Sequence, residues 1–81
     1  MVPKSIKLRE NETFITLGVL LKITGIISTG GQAKFYLEEN DVLVNGEKEN
    51  RRGRKLFHGD KILAENQSFL IDWYANQENN P

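Results

Sequence analysis

The stretch Asp41-Val42-Leu43-Val44-Asn45-Gly46-Glu47-Lys48-Glu49-Asn50-Arg51-Arg52-Gly53-Arg54-Lys55 decides how this chain folds. Before it, apolar residues recur with helical spacing. From Asp41 the period drops to two, with Val42 and Val44 facing one way. Asn45-Gly46 is the dipeptide that best accepts positive φ at both centres of a tight turn, so Glu47–Glu49 is predicted to return as the partner strand of a hairpin. That hairpin runs straight into four cations within five positions, Arg51, Arg52, Arg54 and Lys55, interrupted only by Gly53.

Towards the N-terminus, Thr16 precedes Leu17, Leu20, Leu21 and Thr24, an i, i+3, i+4, i+7 series. It predicts a helix capped by Thr16, buried along that stripe and stopped at Gly25. After Ile26 and Ile27, Ser28-Thr29-Gly30-Gly31 reads as a turn into a second helix over about residues 31–39, with Ala33, Tyr36 and Leu37 as its apolar face. Further upstream, Ser5–Arg9 alternates weakly and Phe14-Ile15 form an apolar pair, from which one short edge strand is expected. Downstream, Gly59-Asp60 reads as a turn, Lys61–Ala64 as a strand, and Phe69–Trp73 as a last strand with Phe69, Ile71 and Trp73 on a single face. The order is that of a small single α+β domain, two packed helices followed by a β-hairpin and short antiparallel strands. The domain is expected over residues 14–74, after an N-terminal extension over 1–13 that holds the edge strand and before a frayed polar tail over 75–81.

At 81 residues the chain has material for one core. Without Cys it has no disulfide, thiolate zinc site or cysteine nucleophile. No apolar run approaches a signal-peptide core or a membrane span, so a soluble, cytoplasmic protein is expected; it is also expected to be a monomer. Eleven Lys and Arg against eleven Asp and Glu give zero net charge, yet the charges fall in blocks. Residues up to Tyr36 carry +3, Leu37–Asn50 −4, Arg51–Lys61 +4 and Ile62–Pro81 −3.

A charge run usually marks a solvated face. This one is rich in Arg, whose planar forks grip phosphate oxygens in pairs, and Gly53 lets a ligand approach the backbone. Such like charges repel unless an anion neutralises them, and phosphate is the expected anion. A second anion contact is expected at the Thr29, Gly30, Gly31 backbone, with Lys34 on the same helical face. Lys22 is a lesser candidate, since it points away from the leucine stripe. Replacing Arg51, Arg52 and Arg54 is then expected to cost affinity and leave the thermal midpoint almost unchanged.

Catalytic patterns are missing. Gly25 and Gly30 have P-loop spacing, but Gly31 stands where Lys is needed and a helix precedes the loop. His58 sits in a turn with no nucleophile motif beside it. Glu38 and Glu39 are adjacent on a helix and diverge, and nothing has metal-ligand spacing. No enzyme activity, cofactor or metal is expected. The aromatics Phe35, Tyr36, Trp73 and Tyr74 are expected mostly in the core, leaving no platform for stacked bases.

The capped helix, the Ser/Thr turn into a helix with Ala33 and Lys34, then Val42-Leu43-Val44-Asn45-Gly46 and Gly59-Asp60-Lys61-Ile62 together resemble the alpha-L RNA-binding motif, the domain named for the fourth protein of the small ribosomal subunit. The likeness covers Phe14 to Leu63. Ser28–Lys34 with Asn50–Leu56 is similar to the small stand-alone bacterial subgroup called YaaA-like or YbcJ-like. The resemblance implies an RNA surface formed by the two helices and the following loop. Many members carry Arg directly after the small hydroxyl residue that leads into the second helix. Here that position is Gly30, so the glycine backbone or Lys34 is expected to take over the contact. The partner expected on these grounds is structured RNA, above all ribosomal RNA or an assembling ribosomal subunit. Arg51, Arg52, Arg54, Lys55, Lys34, Lys22 and the Thr29–Gly31 backbone would contact it. The competing expectation is a protein-interaction module that docks its basic loop on an acidic partner.

Overall fold

A computed structural model describes residues 3–73. The elements in chain order are β1 (Lys4–Lys7), β2 (Phe14–Thr16), α1 (Leu17–Ile23), a 3₁₀ turn (Gly30–Gln32), α2 (Ala33–Glu39), β3 (Leu43–Val44), β4 (Glu47–Lys48), β5 (Lys55–Phe57), β6 (Lys61–Ala64) and β7 (Gln67–Asp72). Five strands form one sheet in the order β1-β7-β6-β3-β4, and β2 pairs with β5 in a small second sheet. Among the described residues only the β1–β7 pair is parallel. The architecture is the expected α+β one.

Helix α1 forms where the leucine stripe predicts it. Leu17, Leu20 and Leu21 are fully buried, and the Thr16 hydroxyl accepts from the Val19 N–H at 3.3 Å. Gly25 follows the helix with φ +82. A helix of seven residues is unstable alone, so the buried stripe holds it. Ala33 and Leu37 of α2 enter the same core, with Tyr36 packed against its edge.

The hairpin is built as the sequence requires. Asn45 and Gly46 take φ +53 and +85, and Val42 and Val44 are buried. Asn45 also ties this turn to the next one. Its amide donates to Asp60 Oδ1 at 3.0 Å, its Oδ1 accepts from the Lys61 N–H at 2.9 Å, and Asp60 Oδ2 accepts from the Phe57 N–H at 2.7 Å. The Asn-Gly and Gly-Asp pairs are thus one structural clasp. Asp60→Ala should lower stability by about 1–2 kcal/mol, read as a fall in thermal midpoint.

The structure differs from the sequence reading in three places. The N-terminal region makes two strands rather than one, because the Glu12 carboxylate accepts from the Arg9 N–H at 2.8 Å and closes a turn between them. β1 joins β7 at the edge of the main sheet, and Leu8 beyond it is buried. Lys55–Phe57, absent from the strands expected from sequence, forms β5 and pairs with β2. Trp73 does not share the face of Phe69 and Ile71. Its N–H is taken by Asp72 Oδ1 at 2.8 Å, which ends the ladder, and its ring lies 43% exposed against His58. The aromatic expectation fails more widely. Phe69 is the only aromatic among the fifteen core residues described, while Phe35, Phe57 and Trp73 are exposed. Aliphatic side chains from five strands, two helices and the segments between them already fill this small interior. Tyr74 and the expected tail over 75–81 lie outside the described residues.

Candidate nucleic-acid interface

The basic loop is shaped by an anion of the protein itself. Glu49 is 7% exposed. Its Oε2 accepts from the Arg51 N–H at 3.0 Å and from Arg51 Nε at 2.9 Å, and its Oε1 accepts from Arg51 Nη2 at 3.0 Å and Arg54 Nη1 at 2.8 Å. The paired hydrogen bonds from Arg51, helped by Arg54, hold the carboxyl down at about 2 against burial, which acts to raise it. The repulsion expected among the loop cations is therefore relieved internally. The carboxylate that does so belongs by sequence to the acidic block.

The loop is also stitched to the start of α1. The Leu17 N–H donates to the Arg54 carbonyl and the Gly18 N–H to the Arg52 carbonyl, each at 2.9 Å. With Val19 capped by Thr16, the first three N–H groups of α1 are satisfied. Gly18 makes this approach feasible. A Cβ there would stand 3.3 Å from the Arg52 carbonyl oxygen and 3.6 Å from Cβ of Ala33. Sequence reasoning missed Gly18 and Glu49 alike. A glycine in the first turn of a helix was the one available hint of the former.

The candidate residues fall into groups. Arg51 and Arg54 carry the ion pairs to Glu49, with side chains 71% and 32% exposed. Arg52 is exposed and, among the described residues, its side chain has no partner. Lys55 lies exposed with its ammonium 4.9 Å from the centre of the Phe14 ring. A groove of about 290 Å³, lined by Thr16, Gly18, Val19, Gly30, Ala33, Arg52 and Gly53, brings the second turn beside the basic loop. Lys34 follows Ala33 on α2 and is exposed. Lys22 sits in the last turn of α1, away from this groove.

The turn is less open to anions than its sequence suggests. Gln32 Oε1 accepts from the Ser28 N–H at 2.6 Å and the Thr29 N–H at 3.0 Å. That leaves the N–H groups of Gly30 and Gly31 without a partner among the described residues. Gln32 is thus a structural cap that the sequence reading passed over.

Among the described residues, no group of His, Cys, Asp and Glu has the makings of a metal site, and no helix is long and apolar enough to cross a membrane. His58 lies exposed in its turn, as expected.

The arrangement has known counterparts. A protein of Bacillus subtilis (strain 168) named "Probable ribosome maturation protein RlbA" is 55% identical over 51 residues, which are 63% of this chain and 72% of that protein. The model of a family described as "S4 domain" matches residues 6–72, from the edge strand β1 to the end of β7. With the helix pair, hairpin and clasp described above, this match shows that the chain belongs to the S4 domain family.

Proposed function

We propose that this chain is a non-catalytic, cytoplasmic, monomeric RNA-binding protein that recognises structured RNA, in the first place ribosomal RNA or an assembling ribosomal subunit. The observation that carries the reading is a rigid cationic loop, fixed by Glu49 and by the start of α1, that leaves the Arg52 guanidinium free beside the Gly30 turn. The name of the Bacillus subtilis relative points to the same setting. Arg52, Lys34 and Lys55 contact phosphates, and Arg51 and Arg54 add the N–H donors that Glu49 leaves unused. Lys22 extends the footprint along α1. The glycines at 30 and 53 have open space where side chains would stand, so an RNA backbone can come close there. Because contacts of this kind read shape and backbone, sequence preference should be weak.

The test is equilibrium binding to a folded ribosomal RNA fragment across a salt series. With about four or five phosphates engaged, log K should fall against log salt with a slope of roughly −3 to −4. A slope near zero contradicts the proposal.

A further inference from the structure

The outward face of the small sheet carries a feature that phosphate contacts leave unused. In the ladder of β2 and β5, Phe14 pairs with Phe57 and Thr16 with Lys55. Ile15 and Leu56 point inward and are buried. The other four side chains therefore share the outer face. Phe57 is 47% exposed. The Phe14 ring centre lies 5.8 Å from it, tilted by 47°, and bears the Lys55 ammonium. Phe57 is also the apolar wall of an open groove of about 530 Å³ whose other lining residues are Arg51, Gly53, Arg54 and Lys55.

A single exposed apolar side chain calls for no explanation. Here one of two adjacent rings, Phe57, lines a groove with three cations, and the other, Phe14, backs Phe57 and bears the Lys55 ammonium. The combination fits one chemistry, a flat π system joined to an anion. Proteins take hold of unpaired nucleotides in this way, stacking the base on an aromatic face while cations hold the phosphate. The groove lies within the range of about 300–1,000 Å³ common for small-ligand sites. Its cationic rim sets it apart from an ordinary apolar docking patch.

We infer that this groove receives an unpaired nucleotide of the bound RNA, with the base on the Phe57 ring and its phosphate against Lys55 and the outer N–H groups of Arg51 and Arg54. The inference rests on the RNA-binding reading and sharpens it. The preferred target is a helix bearing a bulged or looped-out base rather than a continuous duplex.

The experiment compares two RNA hairpins, one with a single-nucleotide bulge and the other fully paired, at fixed low salt with the whole chain. The parent protein should favour the bulged RNA by about tenfold. Phe57→Leu keeps an apolar side chain on a half-exposed site, and so should keep the parent thermal midpoint while losing that preference. Its affinity for the paired RNA should be unchanged. Phe57→Tyr, which restores a ring, should recover the preference. Equal binding of the two RNAs by the parent, or a Phe57→Leu variant that still favours the bulge, overturns the inference and leaves the RNA-binding proposal standing. Failure of the parent to bind either RNA removes that proposal, and this inference with it.

Discussion

Replacing Arg51 and Arg54 together by Ala should cost about 2–4 kcal/mol of stability at neutral pH, a fall of roughly 10–25 °C in thermal midpoint for a domain of this size. These two side chains supply three of the four hydrogen bonds to Glu49, which is almost fully buried. Removing one partner of a fully buried pair typically costs roughly 3–5 kcal/mol. The figure here is lower because Arg51 is 71% exposed and water can follow it in. The acid limb gives an independent check. In the parent, the Glu49 carboxyl is held at about 2, below its ordinary value of 4.5. Its contribution is therefore complete above about pH 4.5 and lost as pH falls towards 2.

In the double variant two influences on that carboxyl remain, burial, which raises its pKa, and the lesser pull of the residue-51 N–H, which lowers it, so burial prevails. The folded state then holds the proton more tightly than the unfolded state, so this group stabilises the fold as pH falls. Parent and variant should differ most at pH 7 and converge towards pH 2 in denaturant unfolding. Adding Glu49→Gln to the double variant removes the stranded charge and should recover part of the loss. A double variant with the parent's midpoint at pH 7 would show that Glu49 needs neither arginine. The outcome matters for binding studies too. The Arg51, Arg52, Arg54 triple replacement, which looks from sequence like a clean affinity probe, would measure folding and contact together.

The parts of the fold legible in the sequence were those with local causes. Thr16 before a leucine stripe, Gly25 after it and Asn45-Gly46 between alternating valines each dictate their own geometry. The β2–β5 ladder was hidden because strands of three residues carry no measurable period and owe their existence to each other, some forty positions apart. Trp73 was misplaced because alternation counts the residue after Asp72 as one more strand position, while the Asp72 side chain takes its N–H instead. The site followed the same division. A run of arginines is visible in any sequence. That Glu49, three residues past Asn45-Gly46, turns inward under those arginines depends on the hairpin's end meeting the N-terminus of α1, a meeting that Gly18 permits. Block charges misled for the same reason. The loop from Glu49 to Lys55 is one electrostatic unit of four cations and one anion, cut in two by a division along the chain.

Arg52→Glu combined with Lys34→Glu should weaken binding to structured RNA by about three orders of magnitude while leaving the fold intact. Among the described residues neither side chain has a partner, so reversing them breaks no internal contact. The Arg52 backbone carbonyl, which receives the Gly18 N–H, is unaffected by the side chain. Each reversal removes an attraction to phosphate and installs a repulsion of similar size, about 2 kcal/mol per site near a protein surface. Two sites give about 4 kcal/mol, or close to a thousandfold. Arg52 lines the groove that contains Gly30 and Gly53, and Lys34 is the exposed residue that follows Ala33 of that lining, so the two are expected to act on the same stretch of RNA backbone. Arg52→Ala with Lys34→Ala removes the attraction alone. It should cost about half as much and make the salt slope shallower by about 1.5–2. Binding isotherms at several salt concentrations, with circular dichroism to confirm the unchanged midpoint, separate this from the Arg51 and Arg54 effect. A double reversal that binds within tenfold of the parent would move the RNA away from this groove, towards the far side of α1 where Lys22 stands.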